Sequence, residues 1–205
     1  VRAAVELPFA EGMALERRLF LACIDSPQRA GLIHAFFAER EVVKVPEARG
    51  ATPRPVARVA VIGGGTMGLD IAQVFARNGY DVVVRDIKDE IIQASEARLN
   101  KGLDKLVSKG KLDEAKKAEI LSHMSFTTEL AAAADADLVV EAAIENLDIK
   151  KSIFAELDSL CKPETILASN TSSISITAIA AATKRADKFI GMHFFNPATV
   201  MKLVE

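Results

Sequence analysis

The sequence predicts an α/β fold with a doubly wound, mostly parallel sheet, and three features carry that prediction. An apolar, β-branched run, Val59 to Ile62, stops in the cluster Gly63-Gly64-Gly65-Thr66-Met67-Gly68 and is followed by an amphipathic helix over 69–77. A second apolar run, Asp81-Val82-Val83-Val84-Arg85-Asp86, comes directly after that helix. Further short apolar runs near 136–141, 165–168 and 189–193 then alternate with helical patterns, as parallel strands joined by crossover helices require.

Composition sets the frame. A chain of 205 residues can hold one substantial core with an appendage, and its 50% hydrophobic and 26% charged residues are ordinary for a globular protein. The formal charge of −2 gives no general attraction to nucleic acid or to an anionic membrane, so neither is expected as a partner. There is no transmembrane run and no signal peptide, and a cytoplasmic location is expected. Cys23 and Cys161 lack metal-site spacing, no metal is expected, and both cysteines are read as reduced thiols. The chain opens on Val1 and stops inside the run Met201-Lys202-Leu203-Val204-Glu205, so both ends read as cut.

Residues 1–45 carry helical signals alone. One helix is predicted from Glu11 to Ile24, and Ser26-Pro27 begins a second as cap and first residue, running through Phe36 and Phe37 to about Glu41. Those rings require a partner surface, since burying each is worth about 1.5–3 kcal/mol. His34 has no Cys, Asp or second His nearby and reads as a surface or packing residue. Residues 46–56, rich in proline, form a linker, and 57–205 form the principal domain.

The glycine cluster is a dinucleotide-binding turn of the Rossmann type. Gly63 makes the tight turn, Gly65 admits a pyrophosphate, and Gly68 lets helix pack closely on strand. The helix that follows directs unpaired N–H groups and its positive dipole end at the phosphates. Asp86 stands where a ribose-binding acid is expected, and its charge would repel a 2′-phosphate, so NAD is favoured over NADP. Arg85 points to the opposite face of its strand and is read as structural.

Two helices are predicted between the second strand and the next, Asp89 to Lys109 and about Lys111 to His123. A plain crossover needs only one, so the pair is an insertion available to a ligand. Lys101, Lys105 and Lys109 share a face and repel one another, and both a solvated face and an anion-binding face fit them. His123 is expected to be structural and without partners. Ser125 to Thr128 is a weak strand and Ala136 to Glu141 a strong one, after which Glu145 and Asn146 open a helix to Leu160.

Thr165 to Ala168 is the next strand, and it breaks into Ser169-Asn170-Thr171-Ser172-Ser173, a polar loop where α/β sheets bind ligands. A helix is expected over 174–183 and a strand over Phe189 to His193. The turn at Asn196-Pro197 sends the chain back, and if it centres near Ala198 and Thr199, His193 and Glu205 face each other across an antiparallel pair. A carboxylate on an imidazole fixes its tautomer and raises its basicity, although a purely structural histidine fits the spacing equally well.

The stretches Val61 to Gly68, Ala168 to Ser173 and His193-Phe194-Phe195-Asn196-Pro197, followed by Met201 to Glu205, resemble the NAD-binding domain of L-3-hydroxyacyl-CoA dehydrogenases. From about Lys88 onward the likeness is to bacterial 3-hydroxybutyryl-CoA dehydrogenases. The N-terminal segment instead resembles the join between the hydratase and dehydrogenase parts of multifunctional β-oxidation enzymes.

The resemblance implies NAD-dependent oxidation of a (3S)-3-hydroxyacyl-CoA, with His193 as general base, Glu205 supporting it, and Ser172 and Asn196 on the substrate. It implies cofactor contacts by Gly63, Gly65, Thr66, Met67, Gly68, Asp86, Glu145 and Asn170, and a coenzyme A contact by Lys109. Partners implied are an acyl-CoA thioester and, for the parent enzyme, a homo-oligomer or a β-oxidation complex. The family's helical C-terminal domain has no counterpart before Glu205, so a dinucleotide-binding piece without turnover is the competing expectation.

Overall fold

A computed structural model describes residues 2–205, in two compact units that divide between Pro53 and Arg54. The first unit holds helices α1 (Arg2–Glu6), α2 (Phe9–Ile24) and α3 (Pro27–Glu41) and a short 3-10 turn, Pro46–Ala48. α3 starts as its sequence dictates: Pro27 occupies the first turn, and Ser26 accepts a hydrogen bond from Arg29 N at 3.2 Å. No residue of α2 or α3 is buried. Phe36 and Phe37 remain 50% and 57% exposed, packed edge to face on each other with the Arg40 guanidinium 3.4 Å above Phe36. His34 is exposed, as expected.

The second unit is a six-stranded sheet in the order β3-β2-β1-β4-β5-β6, with every neighbouring pair parallel. In chain order its elements are β1 (Arg58–Ile62), α4 (Thr66–Arg77), β2 (Asp81–Arg85), α5 (Asp89–Ser108), α6 (Glu114–Ser122) and β3 (Met124–Thr127). There follow β4 (Leu138–Glu141), α7 (Leu147–Leu160), β5 (Ile166–Ser169), α8 (Ile176–Ala180) and β6 (Phe189–Gly191). Alternate residues of β1 supply opposite cores. Val59 and Val61 pack with Leu69, Ile71, Leu99 and Leu103, whereas Ala60 and Ile62 pack with Phe154, Leu157 and Ile179. The strand order reverses between β1 and β4, and the crevice beyond their carboxyl ends is where such sheets take ligands.

Three expectations need correction. The helix predicted over 174–183 is only Ile176–Ala180, because Ser175 caps its start and tertiary anchors end it. Thr183 Oγ1 donates to the Ala180 carbonyl at 2.9 Å, and Arg185 draws the chain onto the end of α7, with Nε 2.5 Å from Asp158 Oδ1. The last strand stops at Gly191 rather than His193, whose N–H and carbonyl instead pair with Glu205 at 2.8 and 3.0 Å. His123 does have a partner, Asp81 Oδ1, 2.8 Å from its Nδ1 at the amino ends of β2 and β3. Arg85 Nε donates to the Thr128 carbonyl at 3.0 Å. Neither cysteine is in a disulfide: Cys23 is exposed, and Cys161 is buried beside the Ala133 carbonyl, where desolvation pushes its thiol pKa up.

Candidate active site

The glycine turn closes the carboxyl end of β1. Gly63 has φ +113°, and a Cβ there would stand 2.6 Å from the Ala142 carbonyl oxygen; one on Gly68 would stand 1.8 Å from that of Gly63. Both positions therefore exclude any other residue, one for strand packing and one for helix packing. A Cβ on Gly65 would meet nothing within 4 Å, so a side chain there would fill open space. The N–H groups of Gly65, Thr66 and Met67 have no acceptor among the described residues. An open cradle floored by free N–H donors at a helix start fits a pyrophosphate. Asp86, just past β2, is held by Gly64 N at 2.7 Å and Ile87 N at 2.7 Å, which leaves lone pairs for ribose hydroxyls.

Across the crevice, the ends of β4 and β5 carry a buried charge network that the sequence reading missed. Lys150 of α7 is 1% exposed and donates to the fully buried Glu141 at 2.6 Å. The Glu141 carboxylate also accepts from Ser169 Oγ at 2.6 Å and Ala143 N at 2.7 Å. Lys150 reaches a second carboxylate, Glu145, at 3.2 Å. Glu145 also accepts from Thr171 Oγ1; partial burial works against its ionised form, but the Thr171, Lys150 and Ser173 interactions together hold its pKa below the usual range. A signal for the network is present in the sequence, since Lys150, Phe154, Leu157 and Cys161 recur at helical spacing and Lys150 sits on that apolar face.

The polar loop after β5 meets the segment after β6. Asn170 Oδ1 accepts from Phe194 N at 2.8 Å, which fixes the backbone beside His193. His193 and Glu205 lie opposite each other as the spacing predicts, with Nδ1 3.4 Å from Oε2 and an adjacent antiparallel bridge between Phe194 and Val204. His193 is about one quarter exposed and Glu205 largely exposed. A cavity of about 380 Å³ is lined by Met67 of the glycine turn on one side and by Glu145, Lys150, Asn170, Ser172, His193 and Asn196 on the other. Glu205 stands outside this lining, Asp86 belongs to the glycine-turn side, and Lys109 caps α5 as an exposed residue that does not line the cavity. A larger cavity, about 440 Å³, opens at the amino ends of the strands, but its charged groups pair with one another, His123 with Asp81 and Arg58 with Asp135.

A family model described as 3-hydroxyacyl-CoA dehydrogenase, NAD binding domain, matches residues 58–205. The chain belongs to that family. NAD is accordingly its cofactor, and the cradle at Gly65 has the chemistry to hold it. Among relatives of this dehydrogenase domain, a 3-hydroxybutyryl-CoA dehydrogenase of Clostridioides difficile is 56% identical over 148 residues, covering 72% of this chain and 53% of the relative. A glyoxysomal fatty acid beta-oxidation multifunctional protein of Brassica napus is 38% identical over 196 residues, covering 95% of this chain and 27% of the relative. The crystal structure of 3-hydroxybutyryl-CoA dehydrogenase from Escherichia coli K12 superimposes with a TM-score of 0.72 at 47% identity, over 74% of this chain and 32% of that one. The chain thus spans about half the length of the bacterial relative and about a quarter of the plant one. Among the described residues no helix is long and apolar enough to cross a membrane.

Proposed function

We propose that the protein carrying this chain interconverts a (3S)-3-hydroxyacyl-CoA and its 3-oxoacyl-CoA, with His193 as the general base. The pairing of His193 with Glu205 at the edge of a cavity shared with the glycine turn supports this most directly. With Nδ1 turned toward the carboxylate, Nε2 is left with a lone pair for the substrate hydroxyl. In the oxidative direction His193 takes the proton from the 3-hydroxyl oxygen while C3 gives up its hydrogen as hydride, and the C–O bond becomes a carbonyl. Bound NAD supplies the hydride acceptor. Glu205 stabilises the imidazolium so formed, as a carboxylate behind a catalytic histidine does. Ser172 and Asn196, both on the cavity wall, hold the reacting oxygen. Glu145 and Asn170 border the nicotinamide side.

The exposed Lys101, Lys105 and Lys109 make no ion pair among the described residues and would meet the phosphates of coenzyme A. We place the reaction in fatty-acid β-oxidation or butyrate-type metabolism of a bacterial cytoplasm, in a homo-oligomer or a β-oxidation complex, on the likeness to the bacterial and multifunctional relatives.

The test is turnover of the full-length protein on 3-hydroxybutyryl-CoA beside free 3-hydroxybutyrate. His193→Gln is expected to cut turnover on the thioester by about a thousandfold, with NADH affinity changed by less than about twofold. Unchanged turnover, or equal turnover of the free acid, would sink the proposal.

A further inference from the structure

Arg98 of α5 has no part in the chemistry above, yet it rests on the glycine turn. Its Nη2 donates to the Gly65 carbonyl at 2.9 Å and to that of Gly64 at 3.2 Å, and Nη1 stands 3.5 Å from Thr66 Oγ1. One turn earlier on the same helix, the buried Ser95 donates to the Gly64 carbonyl at 2.5 Å. From the other side Gly64 N is held by Asp86. The turn is thus gripped by side chains from two neighbouring elements, and the gripping group on its open flank is a cation without an ion-pair partner among the described residues.

Peptide planarity gives these contacts a consequence. In a trans peptide the C=O and the N–H point in opposite directions, so a held carbonyl aims the amide of the next residue the other way. Holding the Gly64 and Gly65 carbonyls therefore aims the N–H groups of Gly65 and Thr66, which are among those left without an acceptor at the cradle. A guanidinium is suited to this because its planar fork can bridge two oxygens at once, whereas an ammonium is a point charge.

We propose that Arg98 is a positioning residue for the cofactor pyrophosphate: it clamps the carbonyls of Gly64 and Gly65, presents the Gly65 and Thr66 N–H groups, and adds positive charge beside the start of α4. The proposal rests on the assignment of NAD to this turn. It assigns α5 a task at the cofactor site in addition to the lysine face farther along the same helix. The sequence motif does not show this, because residue 98 lies far beyond the glycine pattern.

Equilibrium binding tests it without turnover. NADH is titrated by its fluorescence, and ADP-ribose and adenosine are measured as competitors, against the native protein, Arg98→Ala and Arg98→Lys. Arg98→Ala is expected to weaken NADH and ADP-ribose by about tenfold, while adenosine, which has no pyrophosphate, binds within about twofold of native. Arg98→Lys restores the charge but not the two-pronged contact and should recover only part of the loss. Equal NADH affinity in Arg98→Ala and native protein overturns the proposal, as does an equal loss for adenosine, which would mark general damage to the site. Failure of the native protein to bind NADH at all would instead overturn the cofactor assignment beneath it.

Discussion

Lys150 and Glu141 are the residues on which the site side of the sheet depends. Two full charges out of water cost several kcal/mol each unless their hydrogen bonds are made, and here they are: Glu141 receives Lys150, Ser169 and Ala143 N. Breaking such a pair from one side is worse than removing it. Lys150→Met should lower unfolding free energy by about 3–5 kcal/mol, whereas Glu141→Gln with Lys150→Met should recover more than half of that loss, because no bare charge remains buried. Urea denaturation of the three proteins measures both, and a double variant as unstable as Lys150→Met alone would refute this account. The single residues also show how far sequence reasoning reaches. Counting residues about a turn pairs His193 with Glu205, whereas Glu141 and Lys150 look like any strand-end acid and helical lysine until their burial is known.

At the scale of elements, the amino ends of the strands are tied together by Asp137, which precedes β4. Its Oδ2 accepts from Ala57 N and Arg58 N, each at 2.9 Å, and Oδ1 accepts from Lys162 at 2.7 Å. The Lys162 hydrogen bond, followed by those two amides, lowers the carboxyl pKa to about 2. A folded-state pKa below the unfolded value means that this stabilisation is present above about pH 4 and is lost as pH falls through about 2. Asp137→Asn should therefore cost about 1–2 kcal/mol after allowance for solvent screening. The gap from native protein should be level from about pH 7 to 5 and shrink below about pH 4. Denaturant melts across that range check it, and a gap that persists undiminished at low pH would assign the effect to something other than ionisation. Element ends are also where sequence and structure part. Helix α8 is shorter than its local pattern because Arg185, just beyond it, is anchored to Asp158 and to the carbonyls at the end of α7, and strand β6 is shorter because Glu205 pairs with the backbone of His193.

For the whole molecule, a ligand that binds only the folded sheet must stabilise it by mass action. NADH at about one hundred times its dissociation constant should add about 2.7 kcal/mol. Amides of β1 and β4 that exchange through global opening should then slow by about a hundredfold, which hydrogen exchange reads directly. Slowing confined to the glycine turn would show that these strands open without releasing the cofactor. The doubly wound sheet, the dinucleotide turn, the acid after β2 and the pairing of His193 with Glu205 are all legible in the order of residues. Each follows from periodicity, from glycine's freedom or from a short turn, all of which act over a few neighbouring residues. It took the folded chain to show that Lys150 and Glu141 are buried together, that Arg98 grips the glycine turn, and that Lys109 does not line the cavity. The Arg98 contact joins segments separated by a helix and a strand, and the burial of Lys150 with Glu141 depends on how α7 seats against the sheet; the energy of both is set by which surfaces exclude water together, a quantity that no local pattern contains.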